Sequence, residues 1–325
     1  MIDGANGSMQ DDRKSAGLAA ERTQHQRSRR RVTLAAEARG VLRDPALLQA
    51  GPGADRIKPR QAEHIPVFHL DGEAHRKRRA AIARLFTPKA IAGRYRTVME
   101  EVTDELLAKL VEAGTGRLDA ISFDLAIIVA ADIIGLTATD PTRMARRLST
   151  LLDLSFAEVG GGLGFLLKMR RNWHGFRFFM KDVKPAIKAR RAAPRDDVIS
   201  QTLERGYADQ DILVECMTYA AAGMLTTREF IVMVAWHLFD RPDLRERFVA
   251  GPEKVQFAIL REILRLEPVA TFLYRRQPGG SADAECPELL VDLRAANLDE
   301  AVVGGCPYAV DPERAVREGE NGDYL

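Results

Sequence analysis

The chain has 325 residues, of which 46% are hydrophobic and 29% charged, and a formal net charge of +2. This is an ordinary globular composition with room for a large core, and so small a charge gives no general argument for nucleic-acid binding. Three cysteines, Cys216, Cys286 and Cys306, show no pairing pattern, which argues against a disulfide scaffold and for a reduced, cytoplasmic setting.

Residues 1–31 are polar and end in QRSRRR. They lack the apolar centre of a secretory signal and read as a disordered basic tail. Residues 32–325 read as one domain. TLAAEARGVLRDPALL is amphipathic and stops near Pro45, and DGEAHRKRRAAIARLF is a helix with a strongly basic side. LDAISFDLAIIVAADIIGL has the look of a helix buried nearly all round, but Asp119, Asp124 and Asp132 interrupt it. A membrane span needs about 20 apolar residues with few charges, so none is expected. DPTRMARRLSTLLDLSFAEV leads into the glycines at 160–162 and 164, and stop and start signals recur at Pro194–Asp197. Asp209 or Asp211 is placed to cap the next long helix. RPDLRERFVAGPEKVQFAILREILRLEP adds two more helices, and only TFLYRR and ELLVDL are strand-like. The expected fold class is mainly α with a small β component.

Three stretches carry chemistry. In AAGMLTTREF, inside a long apolar helix, glycine costs about 1 kcal/mol relative to alanine. Ala222, Gly223 and Thr226 are expected on one flat face, and a threonine hydroxyl can bond the carbonyl four residues back and loosen the helix. Close packing between helices on small residues would use the same pattern. In LREILRLEP, Glu262 and Arg265 share a face of an apolar helix, where an ion pair needs further partners. In the basic helix, His75 and Arg79 stand four apart and can aim at one anion; a solvated basic face is the alternative.

Other clusters are weaker. His64, His69 and His75 fit no single helix face, so no metal site is expected. Asp196 and Asp197 start a helix more simply than they hold magnesium.

In order and spacing these motifs resemble those of the cytochromes P450, haem-thiolate monooxygenases, here of the soluble bacterial type. The likeness runs from about Leu34 to Leu325 and includes the F-T-P at Phe86–Pro88, RAANLDEAV with Asn297, and DPERA with Asp311, Pro312 and Arg314. It implies a haem b cofactor held by His75, Arg79, Ala222, Gly223 and Arg275, with Gly223 facing the porphyrin. Thr226 and Thr227 would handle protons for dioxygen, and Glu262 with Arg265 would form a structural pair. Leu225, Val269 and Thr271 would line an apolar pocket for a small hydrophobic substrate, beneath a lid formed by Phe156–Phe179. Ferredoxin and ferredoxin reductase would supply electrons to a monomer, with Arg76, Lys77, Arg78 and Arg84 as the docking charges, and neither membrane nor nucleic acid is expected as a partner.

The sequence departs from the family in two places. Leu225 stands where an acidic residue is usual. The cysteine loop that supplies the axial thiolate would fall beyond Leu325, so the resemblance implies a C-terminally incomplete P450 domain, itself inactive. A haem-free binding or helper protein with the same fold is the alternative.

Overall fold

A computed structural model describes residues 11–15, 30–50, 64–156, 163–278 and 289–314. Along the chain the helices are α1 (Ala35–Arg43), α2 (Gly72–Ala83), α3 (Arg96–Ala113), α4 (Leu118–Ile134), α5 (Pro141–Phe156), α6 (Leu163–Phe178) and α7 (Lys184–Ala192). Then follow α8 (Val198–Glu204), α9 (Asp209–Ala220), α10 (Thr226–Asp240), α11 (Pro242–Ala250), α12 (Glu253–Leu266), α13 (Leu293–Ala296) and α14 (Glu300–Val303). Four short strands, β1 (Arg30–Val32), β2 (Leu48–Ala50), β3 (Phe272–Arg276) and β4 (Leu289–Asp292), form one sheet in the order β1-β4-β3-β2. The mainly helical class with a small sheet is as expected.

The chain divides into two compact units, Ile57–Glu229 and Met1–Arg56 together with Phe230–Leu325. The first unit is helical. Its core gathers Ile127 and Ile134 of α4, Met144 and Leu148 of α5, Phe178 of α6 and Cys216 of α9. Helix α4 stops at Gly135, whose φ of 100° is a conformation that a side chain disfavours. Asp197 caps α8 by accepting a hydrogen bond from the Ser200 amide at 2.8 Å, as the sequence suggested. For α9 the expectation fails. Ala208 is its N-cap, and Asp209 and Asp211 lie inside the first turn.

The second unit holds the whole sheet. TFLYRR and ELLVDL supply β3 and β4, which pair antiparallel with Tyr274 opposite Leu290, while β1 joins β4 in parallel with Val32 opposite Val291. Val32, Ala38, Val291 and Ala296 close a small core over this sheet. The described part of the basic tail is therefore not disordered: Arg30 and Arg31 are strand residues. Asp12 accepts a hydrogen bond from the Val310 amide at 2.9 Å, and Ser15 is buried against the carboxylate of Glu267. Both anchors are polar and lie far off in sequence, so composition alone reads the segment as solvated. The rest of the tail, the glycines at 160–162 and Cys286 lie outside the described residues. Among the described residues, no helix is long and apolar enough to cross a membrane.

Candidate functional site

Helices α9 and α10 are joined without a break by one π turn, Ala221–Leu225. Its cause is legible in the bonding. Thr226 Oγ1 donates to the Ala222 carbonyl at 2.5 Å, offering that oxygen a partner other than the backbone. Ala222 and Thr226 are thereby coupled on one face, and both are half-buried; Thr227 is exposed.

Gly223 corrects the expected picture. A side chain added there would point at the Cβ of Ala130 on α4, 3.8 Å away. One helical step, roughly 100°, separates it from Ala222, so it does not share the Ala222–Thr226 face. That distance is an ordinary contact, so the packing on α4 has room for a methyl group. Met224 is fully buried in the core, and Leu225 lies half-buried against the same core, so the pocket role expected for Leu225 finds no support in the geometry.

On α2, His75 is half-buried and Arg79 exposed, and among the described residues neither side chain makes a hydrogen bond or ion pair. Arg78 behaves differently from its basic neighbours. It is buried, donates to Glu215 of α9 and lies over the Tyr207 ring, 4.8 Å from its centroid. Tyr207 stacks on His64 at 3.8 Å, and His64 Nδ1 meets Asp211 at 2.6 Å. Burial pushes the Glu215 carboxyl above the ordinary glutamate range, although the charge of Arg78 opposes this. The sequence reading missed this cluster. Arg78 sits inside a run of cations, and its partner is 137 residues away.

In the second unit, Glu262 and Arg265 form the buried pair expected of them, with the further partners it requires. Arg265 Nε and Nη2 donate to the two Glu262 oxygens, each at 3.0 Å. Its remaining N–H groups reach the carbonyls of Asn297 (3.1 Å), Pro307 (2.7 Å) and Ala309 (3.0 Å), so every donor of the fork is used. Arg314 Nε also donates to Glu262, at 3.1 Å, and its other donors take the carbonyls of Val303, Gly305, Cys306 and Ala309. The Asp311 amide completes the shell of Glu262 at 3.1 Å. Arg275 lies in β3, half-buried, and donates to the Tyr274 carbonyl at 2.9 Å. Val269 is exposed, and half-buried Thr271 accepts from the Leu293 amide at 3.0 Å.

A porphyrin asks for a strip of small side chains, cations for its carboxylates and an axial ligand. In the first unit the Ala222–Thr226 face gives the strip, and His75 and Arg79 give unpaired cation-forming groups. These residues fit. Cys216 does not fit an axial role, since it is buried in the core and burial pushes its thiol up. Cys306, exposed and at a positive φ of 55°, belongs to the turn whose carbonyls Arg314 holds. No cluster of histidine, cysteine and acidic side chains among the described residues could hold a metal ion.

No family model matches the chain. It is similar to cytochrome P450(MEG) of Priestia megaterium, 24% identical over 262 residues that cover 76% of this chain and 62% of the relative. It is also similar to the mycinamicin IV hydroxylase/epoxidase of Micromonospora griseorubida, 24% identical over 253 residues, covering 73% and 59%. The chain thus spans about three-fifths of the length of these relatives. Among solved structures, P450BioI in complex with a fatty-acyl-ligated acyl carrier protein superposes with a TM-score of 0.70 at 18% identity, over 94% of this chain and 83% of the other. CYP109B1 from Bacillus subtilis gives 0.70 at 21% identity with the same coverage.

Proposed function

The chain has the cytochrome P450 fold, and from that premise we propose that it serves as a haem-dependent monooxygenase, oxidising a small hydrophobic molecule with dioxygen in the cytoplasm. The hydrogen bond from Thr226 to the Ala222 carbonyl in the π turn carries this reading, because it sets one polar group on a strip of small residues in an apolar helix.

Haem, when bound, would supply the activation of dioxygen that side chains alone cannot perform. His75 and Arg79 would hold its carboxylates, and Ala222 would border it on the Thr226 face. The hydroxyl proton of Thr226 is committed to Ala222, so its oxygen is left with lone pairs and acts as an acceptor. It would accept a hydrogen bond from a water, whose second proton is then free to point into the site, or from a hydroxyl of the substrate. Leu225 offers no carboxylate, so protons would arrive through water ordered by Thr226 and Thr227. Val269 and Thr271 would contribute to an apolar substrate pocket. The similarity to the mycinamicin IV hydroxylase/epoxidase supports oxidation of an organic substrate.

Electrons would come to the monomer from an acidic ferredoxin and its reductase. Of the cations expected to dock it, Arg76, Lys77 and Arg84 are exposed, whereas Arg78 is buried against Glu215 and is withdrawn from that surface. A haem-free binding protein is the second reading, favoured by the buried, poorly ionised Cys216.

A carbon-monoxide difference spectrum of the reduced, haem-supplied protein separates the two, recorded on this chain and on a version extended at its C-terminus. A thiolate-type Soret band in the extended form supports the enzyme. Colourless protein in both forms rejects it.

A further inference from the structure

Helix α6 has a second apolar face that its packing leaves uncovered. Phe178 is fully buried, and Gly175 approaches Leu151 of α5 at 3.9 Å from where its side chain would begin, so one side of α6 faces the core. Yet Phe165, Leu166, Met169, Trp173, Phe176 and Met180 are exposed, five of them by more than half. At about 100° per residue these six fall within an arc of roughly 100°, centred opposite the core side. Soluble surfaces rarely gather large apolar groups in this way unless something covers them.

Charge says what covers them. Lys168 borders the stripe on one edge, and Arg170, Arg177 and Lys181 on the other; all four are exposed and, among the described residues, form no ion pair. No acidic residue occurs between 163 and 181. The next, Asp182, is turned inward and held by Arg147 and Thr139. A convex helix face with aromatic groups at its centre and unpaired cations on both margins matches the interface of an anionic bilayer, where rings enter the headgroup boundary and long cations reach phosphates. A protein partner would need a groove complementary to it.

We propose that α6 is an interfacial helix that lays Phe165, Met169, Trp173 and Phe176 onto an anionic phospholipid surface, with Lys168, Arg170 and Arg177 at the headgroups. The chain lies on the bilayer and does not span it. This replaces the expectation that no membrane takes part, and it stands apart from the haem reading.

The test is co-sedimentation of the full chain with vesicles of phosphatidylcholine, with and without phosphatidylglycerol. Retention on the anionic vesicles alone, weakened by salt, is expected. Met169→Glu with Trp173→Glu should lower the partition by about tenfold or more. Arg170→Ala and Arg177→Ala should each lower it about fivefold. In a Trp236→Phe background, the emission of Trp173 should shift to the blue on anionic vesicles and be quenched by brominated lipid, which decides the matter even where a variant fails to fold. Equal retention on neutral vesicles, no retention, or retention indifferent to these changes overturns the proposal. So does a dimer in sedimentation velocity that Met169→Glu dissolves without any vesicle binding, or capture by an acidic protein in place of lipid.

Discussion

Arg265 grips Glu262 through two parallel hydrogen bonds of 3.0 Å each, and both side chains are almost wholly out of water. A buried pair of this kind is costly to break because the survivor stays charged. Arg265→Ala strands the Glu262 carboxylate with one cation fewer and releases the carbonyls of Asn297 and Pro307, so it should destabilise the protein by about 3–5 kcal/mol. Arg265→Lys keeps the charge but loses the fork, and should fall between. Urea unfolding followed by circular dichroism checks the order.

The docking of Asp11–Ser15 should depend on pH. Burial would raise the Glu267 carboxyl, but His237, 3.8 Å away, and hydrogen bonds from Ser15 and the Lys14 amide hold it below the ordinary glutamate value of 4.5. The native state therefore favours the ionised form. Its contribution is full above that ordinary value and is lost as pH falls through the lower folded one. Glu267→Gln should remove about 1–3 kcal/mol at neutral pH and flatten the acid dependence. Protection of the Ser15 amide from hydrogen exchange is the readout.

Gly135→Ala should be among the more damaging small changes. Its φ of 100° is strained for alanine, and the new methyl would stand 2.6 Å from an Asp197 oxygen. Asp197 both caps α8 and pairs with Arg190, so the clash reaches two elements. A loss of roughly 2–4 kcal/mol is expected in thermal or urea unfolding, whereas alanine at Gly40, inside α1 with open space around it, should stabilise by about 0.5–1 kcal/mol.

At the π turn, Thr226→Ala should leave haem uptake intact but lower product formed per electron consumed, by about tenfold, while Thr226→Ser should retain most of it. Ala222→Leu fills the strip and should prevent haem uptake. Gly223→Ala meets only an ordinary contact with Ala130 and should bind haem normally. A Soret titration with product analysis on the C-terminally extended protein tests all four.

Local patterns were legible wherever the cause is local. The Thr226–Ala222 bond follows from a threonine in a helix and the carbonyl four residues back, and Glu262–Arg265 follows from spacing within one apolar helix. Asp197 as a cap was equally readable. What escaped is non-local. Arg78 is one cation in a run until Glu215, on another helix, buries it. Ser15 belongs to a polar tail until Glu267 receives it. Gly223 was given the wrong face because small size shows in a sequence and direction does not.

The two guanidinium forks on Glu262 hold the stretch 303–309 by the oxygens of Val303, Gly305, Cys306, Pro307 and Ala309, not by its side chains. What is recognised is the route of the main chain. Evolution can therefore rewrite the letters along that stretch almost at will, provided the new ones tolerate its bends, while a change at either arginine frees the oxygens that it holds.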